Sequence, residues 1–230
     1  MIDTHVIITA AGSGSRFGND IPKQFLGLGR SGIPVLMHAI EAFVNFGIPR
    51  FNIVLTLAED SISVWEELCT QFDYNSPRII IGGATRYESV YNAIMNIEVK
   101  QGHKILIHDG ARPLVSADVI RRVLDALKSH KAVIPSLPVT DSLRRIDAAS
   151  DGSAAVDRSL YRSVQTPQGF EAKTLLSAYQ TGYQPTFTDD ASVVEQNGTP
   201  ITLVEGESRN IKITVPDDLI IAEAFLRAGK

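Results

Sequence analysis

The chain has 230 residues, 44% of them hydrophobic and 21% charged, the composition of a globular protein with little room for long disorder. At this length roughly 70–75% of the unfolded surface can be buried, so one α/β domain over residues 1–230 is expected and a stapled mini-fold is excluded. The formal net charge is −4 and no run of five basic residues occurs, which argues against nucleic acid or a membrane surface as a partner and leaves any anion site local.

Met1 to His5 lead straight into Val6-Ile7-Ile8 with no basic region before them, so no secretory signal is expected. Nor does any apolar stretch approach the ~18 residues of a membrane helix. The lone Cys69 can build neither an internal disulfide nor a multi-thiolate metal site, and a cytoplasmic setting fits. Short β-branched runs predict strands over Val6–Ala10, Asn52–Leu57, Arg78–Ile81, Lys104–His108 and Ala132–Leu137. Apolar residues at three- and four-residue spacing predict helices over Val35–Phe46, Ile62–Phe72, Ser89–Ile97 and Ala117–Leu127. The alternation predicts a mostly parallel sheet flanked by helices.

After Pro138 the rhythm breaks. Thr140 to Ile146, a polar turn over Asp147 to Ser153, and Ala154 to Arg158 predict a projecting β-arm at about 138–160. Such an excursion either pairs with another subunit or stays a solvent-exposed loop. Thr188 followed by Asp189 and Asp190 predicts a helix start. Pro216-Asp217-Asp218 opens a last helix, whose stripe of Leu219, Ile220, Ala222, Ala224, Phe225 and Leu226 should close the fold.

The stretch from Thr9 to Gly18 follows the first strand and is rich in small residues: Ala10, Ala11, Gly12, Ser13, Gly14 and Ser15. Small side chains let backbone N–H groups approach phosphate oxygens, and Arg16 and Lys23 supply charge beside them. No Gly-Lys-Ser/Thr ends the loop, and its glycine spacing is not that of a dinucleotide fold. At the fourth strand's end, His108-Asp109-Gly110-Ala111-Arg112-Pro113 places Asp109 and Arg112 where open α/β sheets bind ligands. Asp109 could there hold a divalent cation, or merely cap a turn with Arg112 as its partner. Gly82, Gly83 and Arg86 follow the third strand at the same edge. Arg158, Thr166 and Lys212 are further polar candidates, each with a plain alternative: a surface ion pair, a pre-proline turn, and an outward position on an alternating strand.

In this order AAGSGSRFG, PKQF, GGATRYESVYNA, HDGARP, VTDSLRR, VDR, QTPQGF, TDDASVVE and NIKITVPDDL resemble the motifs of the 2-C-methyl-D-erythritol 4-phosphate cytidylyltransferases, over nearly the whole chain. The resemblance implies a Rossmann-like nucleotidyltransferase fold in a homodimer whose β-arms embrace the partner. It implies transfer from CTP to methylerythritol phosphate. Charge growing at the α-phosphate calls for Mg2+ as cofactor beside Arg16 and Lys23, with Asp109 as the metal ligand. Family transition-state stabilisers fall on Arg16 and Lys23, and nucleotide contacts on Ala10, Ala11, Gly12, Gly83, Ser89 and Asp109. Acceptor contacts fall on Arg112, Thr140, Arg158, Thr166 and Lys212. Two positions depart from the pattern: Thr9, where an apolar residue or Pro is frequent, and Gly110, where Ala is common. A ribitol 5-phosphate cytidylyltransferase shares the loop cations but suits HDGARP and QTPQGF less well. An inactive nucleotide-binding module would be expected to have lost Arg16, Lys23 or Asp109, and a nicotinamide dehydrogenase lacks its fingerprint.

Overall fold

The computed structural model describes residues 3–12, 22–147 and 152–229. The strands are β1 (Thr4–Thr9), β2 (Gly27–Leu28), β3 (Ile33–Pro34), β4 (Ile53–Leu57), β5 (Arg78–Ile81), β6 (Lys104–Asp109), β7 (Ala132–Pro138), β8 (Arg144–Ile146), β9 (Ser153–Ala155), β10 (Arg162–Val164), β11 (Gln168–Glu171) and β12 (Thr202–Glu205). The α-helices are α1 (Val35–Phe46), α2 (Ile62–Gln71), α3 (Arg86–Ile94), α4 (Ala117–Ala126), α5 (Ala172–Tyr179), α6 (Asp190–Gln196) and α7 (Pro216–Arg227).

The main sheet runs β10-β7-β11-β6-β1-β4-β5, with β12 also pairing with β7. Pairings of β1 with β4 and β6, of β4 with β5 and of β12 with β7 are parallel. The exceptions are β10 and β11, which run antiparallel to β7, β11 also lying antiparallel to β6.

Alternation along the strands separates two cores. Val6 and Ile8 of β1, with Leu55 and Leu106, pack among Leu36, Phe43, Trp65, Val119 and Val123 from α1, α2 and α4. Ile7, with Val54, Ile105 and Ile107, faces Val90, Leu175 and Val193 from α3, α5 and α6. The central strands are therefore apolar on both faces, as a sheet covered by helices on both sides requires. A third cluster, Leu28, Val35, Ile213 and Ala222, is closed by α7 through Leu219 and Leu226. Ile220 and Ala224 depart from the expected stripe: both are exposed, Ile220 by 69%, because Leu219, Ala222 and Leu226 already fill the face turned to the core.

The expected arm contains a two-stranded antiparallel sheet, β8 against β9, with Arg145 opposite Ala154. Its side chains are exposed, and Ile146 at its end and Leu160 beyond it are 73% and 80% exposed. Helix α3 starts one turn before the expected Ser89, since Thr85 caps it in a reciprocal box with Glu88. Helix α6 is capped by Asp189, not Thr188, through Asp189 accepting from the Ser192 amide. No helix among the described residues is long and apolar enough to cross a membrane.

Candidate active site

From β1 the chain moves outward through β4 to β5, then returns to place β6 on the opposite side of β1. Connections diverge at that reversal, leaving a crevice beyond the carboxyl ends of β1 and β6. Thr9 pairs with Asp109 at this edge. A cavity of about 560 Å3 opens there, lined by Ala10, Ala11 and Gly12 after β1, Lys23 and Gln24, Gly83, Thr85, Arg86 and Ser89 after β5, Asp109, and Lys212. That volume suits one nucleotide-sized ligand.

Local packing explains why these loops converge. Buried Gln24 donates from Nε2 to the Ala10 carbonyl at 2.8 Å and to the Gly12 carbonyl at 3.3 Å, tying the Lys23 turn to the small-residue loop. A Cβ on Gly82 would stand 2.5 Å from Ala11 Cβ and 2.9 Å from Ser89 Oγ, so only glycine allows the two loops to touch. Ser89 Oγ accepts from the Gly83 amide at 3.1 Å and donates to the Thr85 carbonyl at 3.0 Å, folding the loop back on α3. The positive N-terminal end of α3 thus opens on the cavity through Thr85 and Arg86.

Charge is concentrated around Asp109. Lys212 Nζ lies 2.8 Å from its Oδ2, Arg112 Nε 3.6 Å from the same oxygen, and Arg86 Nη2 3.6 Å from Oδ1. Burial alone would raise the Asp109 carboxyl, but Arg86, Lys212 and Arg112 together hold it well below the usual carboxylate range. Arg86 is itself held from behind by the fully buried Asp190, 2.6 Å away, which also accepts from the Tyr179 hydroxyl at 2.7 Å.

Beneath Asp109 lies a polar floor. The Asp109 amide donates to Thr166 Oγ1 at 3.1 Å, and that hydroxyl is 2.9 Å from His108 Nδ1. His108 Nε2 donates to the Arg112 carbonyl at 3.0 Å. Burial pulls the fully enclosed His108 down to about 4, so the ring is neutral at pH 7. Asn210 Nδ2 donates to the Thr166 carbonyl at 2.7 Å, and the Asn210 carbonyl accepts from Arg112 Nη1 at 2.7 Å.

Of the residues expected from sequence, Ala10, Ala11, Gly12, Lys23, Gly83, Ser89, Asp109 and Lys212 line this cavity. Arg112 and Thr166 adjoin it through Asp109. Lys212 is not on a strand, contrary to its plain alternative. Arg16 lies outside the described residues, as do 13–15 and 17–21. Thr140 and Arg158 sit elsewhere in the chain: they line a separate open pocket with Pro138 and Arg162 at the base of the arm, where Arg158 donates to the Thr140 carbonyl. Sequence reasoning gave no role to Gln24, Arg86, His108, Asp190 or Asn210. All five lie within the motifs PKQF, GGATRYESVYNA, HDGARP, TDDASVVE and NIKITVPDDL, but their tasks depend on partners distant in sequence.

Among the described residues Asp109 is the one carboxylate that lines the cavity, which is compatible with Mg2+, since that ion keeps several waters and takes most other ligands from phosphates. Lys212 lies 2.8 Å from Asp109 Oδ2 and Arg86 3.6 Å from Oδ1, and a carboxylate oxygen has a second lone pair to offer an ion. No group of three or more His, Cys, Asp or Glu able to cage a metal exists among the described residues.

The family model for 2-C-methyl-D-erythritol 4-phosphate cytidylyltransferase matches residues 4–228. A protein of that name from Bacteroides thetaiotaomicron is 44% identical over 96% of this chain and 98% of its own length. One from Bacillus cereus is 40% identical over 98% of each. Among solved structures, the 2-C-methyl-D-erythritol 4-phosphate cytidylyltransferase of Thermus thermophilus superposes with a TM-score of 0.75 at 33% identity, over 97% of this chain and 98% of that one. The 4-diphosphocytidyl-2C-methyl-D-erythritol synthase of Anaerococcus prevotii gives 0.79 at 28% identity, with the same coverage.

Proposed function

The chain belongs to the 2-C-methyl-D-erythritol 4-phosphate cytidylyltransferase family, and from that membership we infer that it joins CTP to 2-C-methyl-D-erythritol 4-phosphate, a step of non-mevalonate isoprenoid precursor synthesis. A phosphate oxygen of the acceptor attacks the α-phosphorus of CTP. The bond to the β-phosphate breaks, giving 4-diphosphocytidyl-2-C-methyl-D-erythritol and pyrophosphate. The observation that carries this reading is the convergence of Lys23, the Ala10–Gly12 loop, Arg86, Asp109 and Lys212 on one cavity at the strand ends.

Phosphoryl-type transfer asks the protein for in-line positioning and charge neutralisation more than for covalent chemistry. In this reading Lys23 and Arg16 stabilise charge growing at the α-phosphate. Ala10, Ala11, Gly12, Gly83 and Ser89 shape the nucleotide side. Asp109 serves as protein ligand to Mg2+, which when bound would neutralise triphosphate charge. The acceptor phosphate is already ionised near neutral pH, so no general base is assigned. Its contacts are Arg112, Thr166 and Lys212 from one chain, with the partner's Thr140 and the partner's Arg158 brought in by the arm of a homodimer. The exposed apolar residues Ile146 and Leu160 support that use of the arm. We place the enzyme in the cytoplasm, in keeping with two highly charged substrates.

Pyrophosphate release from CTP, measured side by side with methylerythritol phosphate and ribitol 5-phosphate, tests the reading. Turnover with the first at least tenfold above the second is expected. Equal or reversed rates would overturn it.

A further inference from the structure

The turn that carries Asp109 and Arg112 is stapled from inside by a side chain with no assigned role. His108 is fully buried, and its ring meets Phe43 of α1 edge-on at 5.0 Å between centroids. Its Nε2 is 3.0 Å from the Arg112 carbonyl, which can only accept, so Nε2 carries the proton. In the neutral ring Nδ1 is then a bare acceptor, and the Thr166 hydroxyl 2.9 Å away must donate to it. That fixes the hydroxyl's lone pairs toward the Asp109 amide, whose N–H they accept at 3.1 Å. A one-directional chain results: Asp109 N–H to Thr166, Thr166 O–H to His108, and His108 N–H to Arg112.

We infer that His108 is a positioning residue for the transfer, holding the Asp109 end and the Arg112 end of one turn in a fixed relation to each other and to the link between β10 and β11. The inference rests on the reading above, in that Asp109 serves the nucleotide and Arg112 the acceptor. The tolerance for drift in this turn is small: a Cβ on Gly110 would come within 2.8 Å of Leu36 Cδ1 and 3.1 Å of Ala10 Cβ, so the turn is pressed against the loop that begins the nucleotide side. A misplacement of about 1 Å at such a site can cost on the order of 100-fold in rate.

Two substitutions divide the staple. His108→Gln retains a donor for the Arg112 carbonyl and loses the acceptor for Thr166, so KM should rise at least fivefold for CTP, through Asp109, and also for the acceptor, through Thr166. His108→Asn retains the acceptor and loses the donor, so the larger rise should be in KM for the acceptor. Both should lower overall kcat/KM at least tenfold, while Phe43→Leu, which loosens the core around the ring and leaves its hydrogen bonds in place, stays within twofold at a matched loss of thermal midpoint. Losses no greater than those of Phe43→Leu would overturn the inference. Should the histidine variants not fold, 15N-histidine NMR of the wild-type enzyme at pH 7 without substrate decides. A protonated Nε2 with Nδ1 bare, the latter shifting in Thr166→Val, is expected; a protonated Nδ1 overturns the chain. Failure of wild-type turnover with CTP and methylerythritol phosphate would instead count against the proposed function, because the tautomer is measured without either.

Discussion

Lys23 enters the cavity from a short 3-10 turn whose next residue, Gln24, is buried and bonded to two carbonyls of the small-residue loop. The Lys23 turn is thus fixed against the cavity wall, and in the proposed mechanism the effect of its ammonium grows as charge develops at the α-phosphate. A group used mainly in the transition state lowers kcat when removed, more than it raises KM. Lys23→Ala is expected to lose about 10²–10³ in kcat, the scale of one oxyanion-type donor, with a smaller change in KM for CTP; steady-state kinetics retaining near wild-type kcat would refute its catalytic role. His108 makes a separate prediction about acid stability. Unfolded, the imidazole takes a proton near 6.5, whereas in the fold burial delays it to about 4. The unfolded state therefore binds more protons between these values, and stability falls as pH drops through that window, by about 3 kcal/mol for this group. His5 shifts in the same direction, by burial first and then by His103. Asp109, held below its usual range, keeps its own contribution until more acid pH. Denaturant titrations from pH 7 to pH 4 should show a shallower loss in His108→Gln than in wild type, and parallel losses would contradict the assignment.

Where two elements meet at the cavity, the fit is decided by missing methyl groups. Gly82→Ala would drive a Cβ to 2.5 Å from Ala11 Cβ, and overpacking of this kind costs about 1–3 kcal/mol. A lower thermal midpoint and a severalfold higher KM for CTP are expected, both partly relieved by adding Ala11→Gly, since the 2.9 Å approach to Ser89 Oγ remains; no relief at all would show that Ala11 is not the limiting contact. The same close packing explains what could be read in the sequence. The strands β1, β4, β5, β6 and β7 and the helices α1 to α4 stand out because each repeats one apolar period over a full element. Six other elements, β2, β3, β10, β11, α5 and β12, are not legible; β2 and β3 are only two residues long. Strand β10 is exposed throughout, and β12 alternates over only four residues. Strand β11 contains Gly169, which reads as a turn but is required because a Cβ would reach 2.5 Å from Val123 Cγ1. Helix α5 has no side-chain cap to announce it. At the site, the small-residue loop with its cations points to Lys23 and the strand-end motif to Asp109, whereas Lys212 reads singly as an outward position and enters only through the resemblance; all three line the cavity. Arg86, Asp190 and Asn210 were missed because their partners lie 98 to 104 residues away, as in Arg86 with Asp190 and Arg112 with Asn210.

The whole chain carries a formal charge of −4, yet its cavity gathers Lys23, Arg86 and Lys212 on the lining with Arg112 directly behind Asp109. Such local concentration lets an acidic protein bind two polyanions without a general basic surface. Arg158 and Thr140 stand apart from that cavity at the base of the exposed arm, so the proposed acceptor site needs a second copy of the chain to be complete. This has a consequence that single variants cannot mimic. Take Lys23→Ala and Arg158→Ala, each expected to be nearly inactive alone, and let the two chains exchange into mixed dimers. If Arg158 serves the partner's cavity, one site of a mixed dimer contains both substitutions and the other contains neither. Random exchange makes about half the dimers mixed, so roughly a quarter of wild-type activity should return. If Arg158 serves its own cavity, every site in the mixture carries one substitution and nothing returns. Mixing the purified variants, verifying dimers by light scattering and following pyrophosphate release would separate the two arrangements; monomers or no recovered activity would show that the arm does not complete a neighbour's site.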